Sequence, residues 1–228
     1  MAKPAAIRFS SDQITVRQGV TSSIAVVGNP NSGKSTLFNR LTGLKQRIGN
    51  YPGVTVERHV GIARYGQTQT ELVDLPGTHS LSAHSLEEQI AVVVILGRLP
   101  GTRAPDGVLA VLDASNLYQG LFLLQQLVDL ELPMLVALTM TDAATRSGIE
   151  IDVDALSASL GGVRICTVVA TTGAGIDDLH AAISEFPSAL PATRVSVWPQ
   201  LAAAGAKLKS QAAEGLRLAE AERLLVDG

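Results

Sequence analysis

One stretch of this chain is built to hold an anion. Gly28 to Thr36, read as G-N-P-N-S-G-K-S-T, fits the pattern G-x-x-x-x-G-K-[ST], with Gly28, Gly33, Lys34 and Ser35 at the defining places. Glycines let successive backbone N–H groups turn inward around a phosphate with no Cβ in the way. A helix starting near Lys34 points its positive end at the same spot, and Lys34 adds a full charge for the β- and γ-phosphates. Ser35 offers a hydroxyl to Mg²⁺. The rival reading is a chance glycine turn. Against it stand an apolar, β-branched run before the loop, Ile24 to Val27, and a helically spaced run after it, Thr36 to Leu41, stopped by Gly43.

Four further groups bear on the same chemistry. Asp74-Leu75-Pro76-Gly77 is D-x-x-G at a strand end, where an acid can hold a Mg²⁺-bound water and the Gly77 N–H can meet a γ-phosphate. Between it and the loop lies Gly49-Asn50-Tyr51-Pro52-Gly53-Val54-Thr55-Val56. Thr55 there is placed to complete Mg²⁺ in a segment that orders around the γ-phosphate; a Pro52-Gly53 turn is the plainer reading, and the two are compatible. Thr139-Met140-Thr141-Asp142 follows another strand, where guanine-nucleotide proteins carry N-K-x-D. Asp142 suits the carboxylate that accepts both guanine N–H groups, with a helix-capping aspartate as the alternative; Thr139 and Met140 depart from Asn and Lys. Ala170-Thr171-Thr172-Gly173 stands where a backbone N–H would touch the base oxygen. His79 and His84 are read as surface residues of the D-x-x-G loop rather than bases. Cys166, the single cysteine, is read as a small core residue that fits a reducing compartment.

The elements that must position these residues alternate. Strands are expected at 24–27, 56–65, 70–74, 108–113, 134–139 and 165–169, and helices at 34–42, 86–97, 117–131, 153–160 and 176–185. Short apolar strands alternating with amphipathic helices make an α/β domain with a mostly parallel sheet, whose ligands lie beyond the carboxyl ends of the strands. The phosphate loop, D-x-x-G, Thr139–Asp142 and Ala170–Gly173 each fall just after such a strand, and Gly49–Val56 leads into one. Residues 1–23 read as a loosely ordered lead-in or edge strand, 24–186 as the domain itself, and 187–228 as a proline-bearing linker with a helix of apolar spacing (Leu201, Leu208, Ala212, Leu216, Ala219). A formal charge of −3 and 4% aromatics offer nothing to nucleic acid. The longest apolar run, Ile90 to Leu96, is far short of the ~20 residues of a membrane span, and the N-terminus has no signal-peptide core.

The chain resembles the cytoplasmic G-protein domain of FeoB-type ferrous iron transporters. The resemblance rests on Gly28–Gly43, on G-N-Y-P-G-V-T-V-E (Gly49–Glu57), on D-L-P-G-T-H-S-L (Asp74–Leu81), on S-L-E-E-Q-I-A (Ser85–Ala91) and on V-L-D-A-S-N-L (Val111–Leu117). It implies a Ras-like P-loop GTPase fold, here a mostly parallel six-stranded sheet flanked by helices, with a short helical appendage. It also implies binding of GTP and GDP with Mg²⁺, slow hydrolysis and activation by K⁺. The nucleotide contacts would be Gly28, Asn29, Pro30, Asn31, Ser32, Gly33, Lys34, Ser35, Thr36, Gly53, Val54, Thr55, Asp74, Gly77, Thr139, Met140, Asp142, Ala170, Thr171 and Thr172. Ser35, Thr55 and Asp74 would serve Mg²⁺ and Asn31 would bind K⁺; Lys34, Thr55, Asn31 and Gly77 would carry catalysis. Met after the Asn position is usual in the family, so Thr139 is the departure; it leaves open a promiscuous NTPase that also uses ATP. Thr78 stands where related enzymes place a water-orienting Gln, which leaves open a nucleotide sensor that barely hydrolyses. The family implies attachment to a membrane permease domain at the cytoplasmic face of a bacterial inner membrane, with self-association possible. With only about forty residues after Pro187, the helical bundle that follows the G domain in the family is shortened or cut.

Overall fold

The computed structural model describes residues 22–82 and 85–186, together with residues 20 and 207. The lead-in before Val20, His84 and the segment after Phe186, apart from Lys207, lie outside them.

Seven strands form one sheet in the order β2-β3-β4-β1-β5-β6-β7. They are β1 (Ser22–Gly28), β2 (Gln46–Asn50), β3 (Glu57–Tyr65), β4 (Thr68–Asp74), β5 (Gly107–Asp113), β6 (Met134–Thr139) and β7 (Arg164–Thr167). β1 lies parallel to β4 and β5, and β5–β6 and β6–β7 are parallel; β2–β3 and β3–β4 are antiparallel. The mostly parallel α/β reading therefore holds, with seven strands where the sequence suggested six. β1 also begins at Ser22, inside the stretch expected as lead-in.

Why the central strands form is plain from their two-sided burial. Every residue of β1 and β6 is buried, because helices cover both faces of a parallel sheet. Side chains alternate between two cores, as the period of a strand requires. Ala25 and Val27, with Val108, Ala110, Val136 and Leu138, face α2 (Leu86–Ile95) and α3 (Leu117–Asp129). Ile24 and Val26, with Leu109, Val111, Leu135 and Ala137, face α1 (Lys34–Thr42) and α6 (Ile176–Ser184). Two shorter helices, α4 (Thr141–Arg146) and α5 (Val153–Ser159), both lie in the connection from β6 to β7; α4 was not expected. α2 starts with a capping box, Ser85 accepting from the Glu88 N–H while Glu88 reaches back to the Ser85 N–H. None of the described helices is long and apolar enough to cross a membrane. The parallel strands bring Gly28, Asp74, Asp113, Thr139 and Thr167 to one edge of the sheet, and the site lies there.

Candidate phosphate-binding site

The loop after β1 has the backbone that its glycines foretell. Gly33 caps α1 in the left-handed region (φ 81°), and Asn31 beside it also has positive φ (66°). A Cβ on Gly28 would stand 2.7 Å from the Val111 carbonyl oxygen and 2.9 Å from Ser32 Oγ, so no side chain fits there. The first turn of α1 holds no acid of its own to offset its positive end. Pro30, Asn31, Ser35 and Thr36 are exposed around the loop mouth, Gly33 is half-buried, and Asn29, Ser32 and Lys34 are buried.

Lys34 and Asp74 meet. The ammonium donates to Asp74 Oδ1 in a tight ion pair whose side chains are 10% and 13% exposed. Gly77 closes on the loop from the other side: a Cβ there would lie 3.1 Å from the backbone nitrogen and from Cγ of Pro30. The D-x-x-G glycine is therefore seated against the phosphate loop. Thr78, at the position of a water-orienting Gln elsewhere, is fully buried; its N–H donates to the Gly28 carbonyl (3.2 Å) and its hydroxyl to the Ser80 carbonyl (2.6 Å). His79 is exposed, with Nδ1 3.3 Å from the Asn29 amide nitrogen; that same nitrogen donates to the Gln119 carbonyl at 2.8 Å.

The segment between β2 and β3 makes the expected turn. Val54 N–H donates to the Tyr51 carbonyl (3.2 Å) across Pro52 and a left-handed Gly53 (φ 77°). Thr55 is exposed, while Tyr51 is 1% exposed with a hydroxyl that finds no partner among the described residues. Burial pushes the Tyr51 phenol far above its ordinary range, Arg58 opposing and Asp74 adding to the effect. Sequence reasoning passed over Tyr51, because nothing local marks an aromatic as the anchor of a loop.

At the base end the structure separates two roles. Thr139 is 1% exposed, and its hydroxyl donates toward the Ser32 carbonyl (2.7 Å), with the Leu112 carbonyl at 3.1 Å. It ties the strand end to the phosphate loop. Met140 caps α4 in the left-handed region (φ 56°), so Asp142 is not the cap; it lies in the first turn and pairs with Arg146 at 3.0 Å. Ala170 is half-buried and Thr171 and Thr172 are exposed in a loop closed by Gly173 N–H to the Val169 carbonyl (2.8 Å). A Cβ on Gly173 would stand 2.5 Å from Arg40 Nη2, so the Arg40 guanidinium of α1 lies over this loop. Arg40 was missed, having no motif of its own.

A family model described as Ferrous iron transport protein B matches residues 22–183. The chain belongs to the FeoB family. It is 48% identical over 167 residues to the Fe(2+) transporter FeoB of Shigella flexneri, covering 72% of this chain and 21% of that protein. The match to the Salmonella typhimurium transporter is 49% over 164 residues, 70% and 20% of the two chains. The chain thus spans about a fifth of the curated relatives it matches. Among solved structures it is similar to an S. thermophilus NFeoB variant bound to GDP (TM-score 0.78, 33% identity, 91% of this chain and 80% of that one). It is likewise similar to the cytosolic domain of L. pneumophila FeoB (TM-score 0.78, 34% identity, 91% and 88%). The FeoB kinship expected from the motifs, and the P-loop GTPase fold with it, are both borne out.

Proposed function

We propose that this FeoB domain binds guanine nucleotides and hydrolyses GTP slowly, as the switch of a ferrous iron transporter whose membrane domain it controls. The observation that carries the reading is the buried Lys34–Asp74 pair at the mouth of a glycine-lined loop, with Gly77 packed against that loop. An ammonium held by a carboxylate beside a ring of amides is poised to exchange its anion for a phosphate. Lys34 then answers the β- and γ-phosphates, and Asp74 is released to accept from metal-bound water.

The oxygen donors Ser35, Thr55 and Asp74 are of the class that Mg²⁺ takes, and they would hold it; when bound, the ion neutralises charge on the phosphoryl oxygens. Asn31, exposed on the loop, would hold K⁺. Gly77 N–H senses the γ-phosphate, and loss of that contact on hydrolysis frees the D-x-x-G segment. Asp142 reads the guanine edge, and Ala170 to Thr172 border the base.

Calorimetry with GDP tests the core of this. A charge-assisted bond is worth about 1.5–3 kcal/mol, so Lys34→Ala should weaken binding by about 10- to 100-fold. Unaltered uptake of nucleotide by Lys34→Ala would end the reading. Single-turnover hydrolysis in K⁺ against Na⁺ tests the ion, and absence of turnover in both leaves a sensor in place of an enzyme. A second reading, an NTPase with relaxed base choice, is favoured by one observation: the Thr139 hydroxyl is spent on backbone carbonyls where Asn would have an amide to spare for the base. Equal GTP and ATP turnover would establish it.

A further inference from the structure

β2 is the outermost strand on its side of the sheet, and among the described residues it pairs with β3 alone. One row of its N–H and C=O groups therefore points away from the domain. Gln46 is half-buried, the other four residues are exposed, and Ile48, in the middle, leaves 62% of its surface open. Native sheets guard such edges with charge, proline, a bulge or a short strand. Here Arg47 lies within the five-residue strand and Lys45 and Pro52 stand just outside it, so the guard is partial: the central position carries an exposed aliphatic side chain.

The strand is also complementary to itself. Read antiparallel about Ile48, Gln46-Arg47-Ile48-Gly49-Asn50 sets Ile48 against Ile48, Arg47 against Gly49 and Gln46 against Asn50. An apolar side chain meets its like, two amides meet, and the long cation faces a residue with no side chain. Sliding two residues one way sets Arg47 against Arg47; sliding the other way sets Gly49 against Gly49 and loses the isoleucine pair. One register is clearly best, whichever residues of the strand point their backbone groups outward.

We propose that two copies of this domain pair edge to edge through β2, antiparallel and centred on Ile48, so that one sheet continues across a two-fold axis. A five-residue pair buries less than the ~1,200 Å² of a stable interface, so the association is weak and matters where copies are concentrated. Gly49 and Asn50 also open the segment assigned above to sense nucleotide; on that reading, though not otherwise, pairing and nucleotide state share a strand. The test below is independent of nucleotide, so its failure leaves the nucleotide reading untouched.

Ile48→Cys in the full chain is oxidised with diamide. Opposite Cα atoms in an antiparallel pair lie about 4.5 or 5.5 Å apart, both within disulfide reach. Cys166 is buried, so the parent is the blank, and Tyr118→Cys, on a residue 90% exposed on α3, reports random collision. Ile48→Cys should cross-link about tenfold faster or more than Tyr118→Cys, by proximity. A mixture of Arg47→Cys and Gly49→Cys should likewise outpace either alone. Cross-linking of Ile48→Cys at the collision rate, or of Arg47→Cys alone as fast as Ile48→Cys, would overturn the register and the pairing with it. In sedimentation without oxidant, Ile48→Lys should stay monomeric where the parent's average mass rises; a parent that shows no rise at the highest soluble concentration sinks the proposal.

Discussion

Thr139→Val is the substitution that most directly tests how this domain holds its phosphate loop. Valine has the shape of threonine, so the change leaves no cavity and removes only the hydroxyl. That hydroxyl has one proton and two carbonyls within reach, Ser32 at 2.7 Å and Leu112 at 3.1 Å, at a residue 1% exposed. The shorter contact takes the proton, and it joins residues 107 apart in the chain. Leaving a buried carbonyl without its donor costs about 1–3 kcal/mol. For a domain of this size each kcal/mol lowers the melting temperature by about 2–4 °C. Thermal unfolding without nucleotide should show that loss in Thr139→Val, and calorimetry should show weaker GDP binding, because the loop loses its tie to β6. Thr139→Ser keeps the donor and should retain most of both. Thr139→Asn offers two N–H donors, so it should keep the tie and sharpen the preference for GTP over ATP. A valine variant as stable as the parent, with GDP affinity unchanged, would refute the clamp.

Other residues make simpler predictions. Tyr51→Phe removes a hydroxyl that is buried without a partner among the described residues, so it should raise stability by about 1 kcal/mol, read as a higher unfolding midpoint; a lowered midpoint would show that the hydroxyl has a partner after all. His180 stacks on Tyr65 with ring centroids 6.4 Å apart, and burial holds its pKa below the ordinary value, Asp177 opposing. The unfolded chain then takes up this proton before the folded one does. Stability is accordingly full above about pH 6.5 and falls as the pH drops below it, a slope that His180→Phe should reduce in chemical denaturation at pH 5 to 7.5.

Legibility in the sequence followed burial and local backbone chemistry. β1, β5 and β6 were readable because both faces are covered and their residues are apolar almost without break. The phosphate loop was readable because only glycine tolerates what Gly28 and Gly33 must do. β2 was not, since its five residues are largely exposed and alternate in nothing. α4 is six residues long, too short for a period to declare itself. The ties that matter most to the site are long-range: Lys34 to Asp74, Thr139 to Ser32, Arg40 over Gly173. The motifs sent Lys34 and Asp74 to one site without pairing them, and nothing near Thr139 or Arg40 in sequence says where its side chain ends. The sequence could name Thr139 as a departure, but only packing shows that its hydroxyl supports the loop.

Thr78 bears on the rate of the proposed hydrolysis. Thr78 occupies the position from which related enzymes orient water with Gln, and it is wholly buried, held by Gly28 and Ser80, with Glu88 Oε1 at 3.4 Å from its hydroxyl. It fastens the D-x-x-G turn to β1 and to the start of α2. On the proposed reading, orientation of water falls to backbone groups and to Thr55, an exposed residue, and a slow rate follows. Restoring the familiar residue should therefore fail. Thr78→Gln forces a longer amide into a fully buried position, and overpacking of this kind costs about 1–3 kcal/mol. The expected outcome is a lower melting temperature with no gain in single-turnover rate. Thr78→Val keeps the volume and loses only the hydroxyl bonds, so it should lose less stability than Gln. If Thr78→Gln instead accelerated hydrolysis in a domain of undiminished stability, the buried anchor would be an accident of sequence and the account of slow turnover would fall with it.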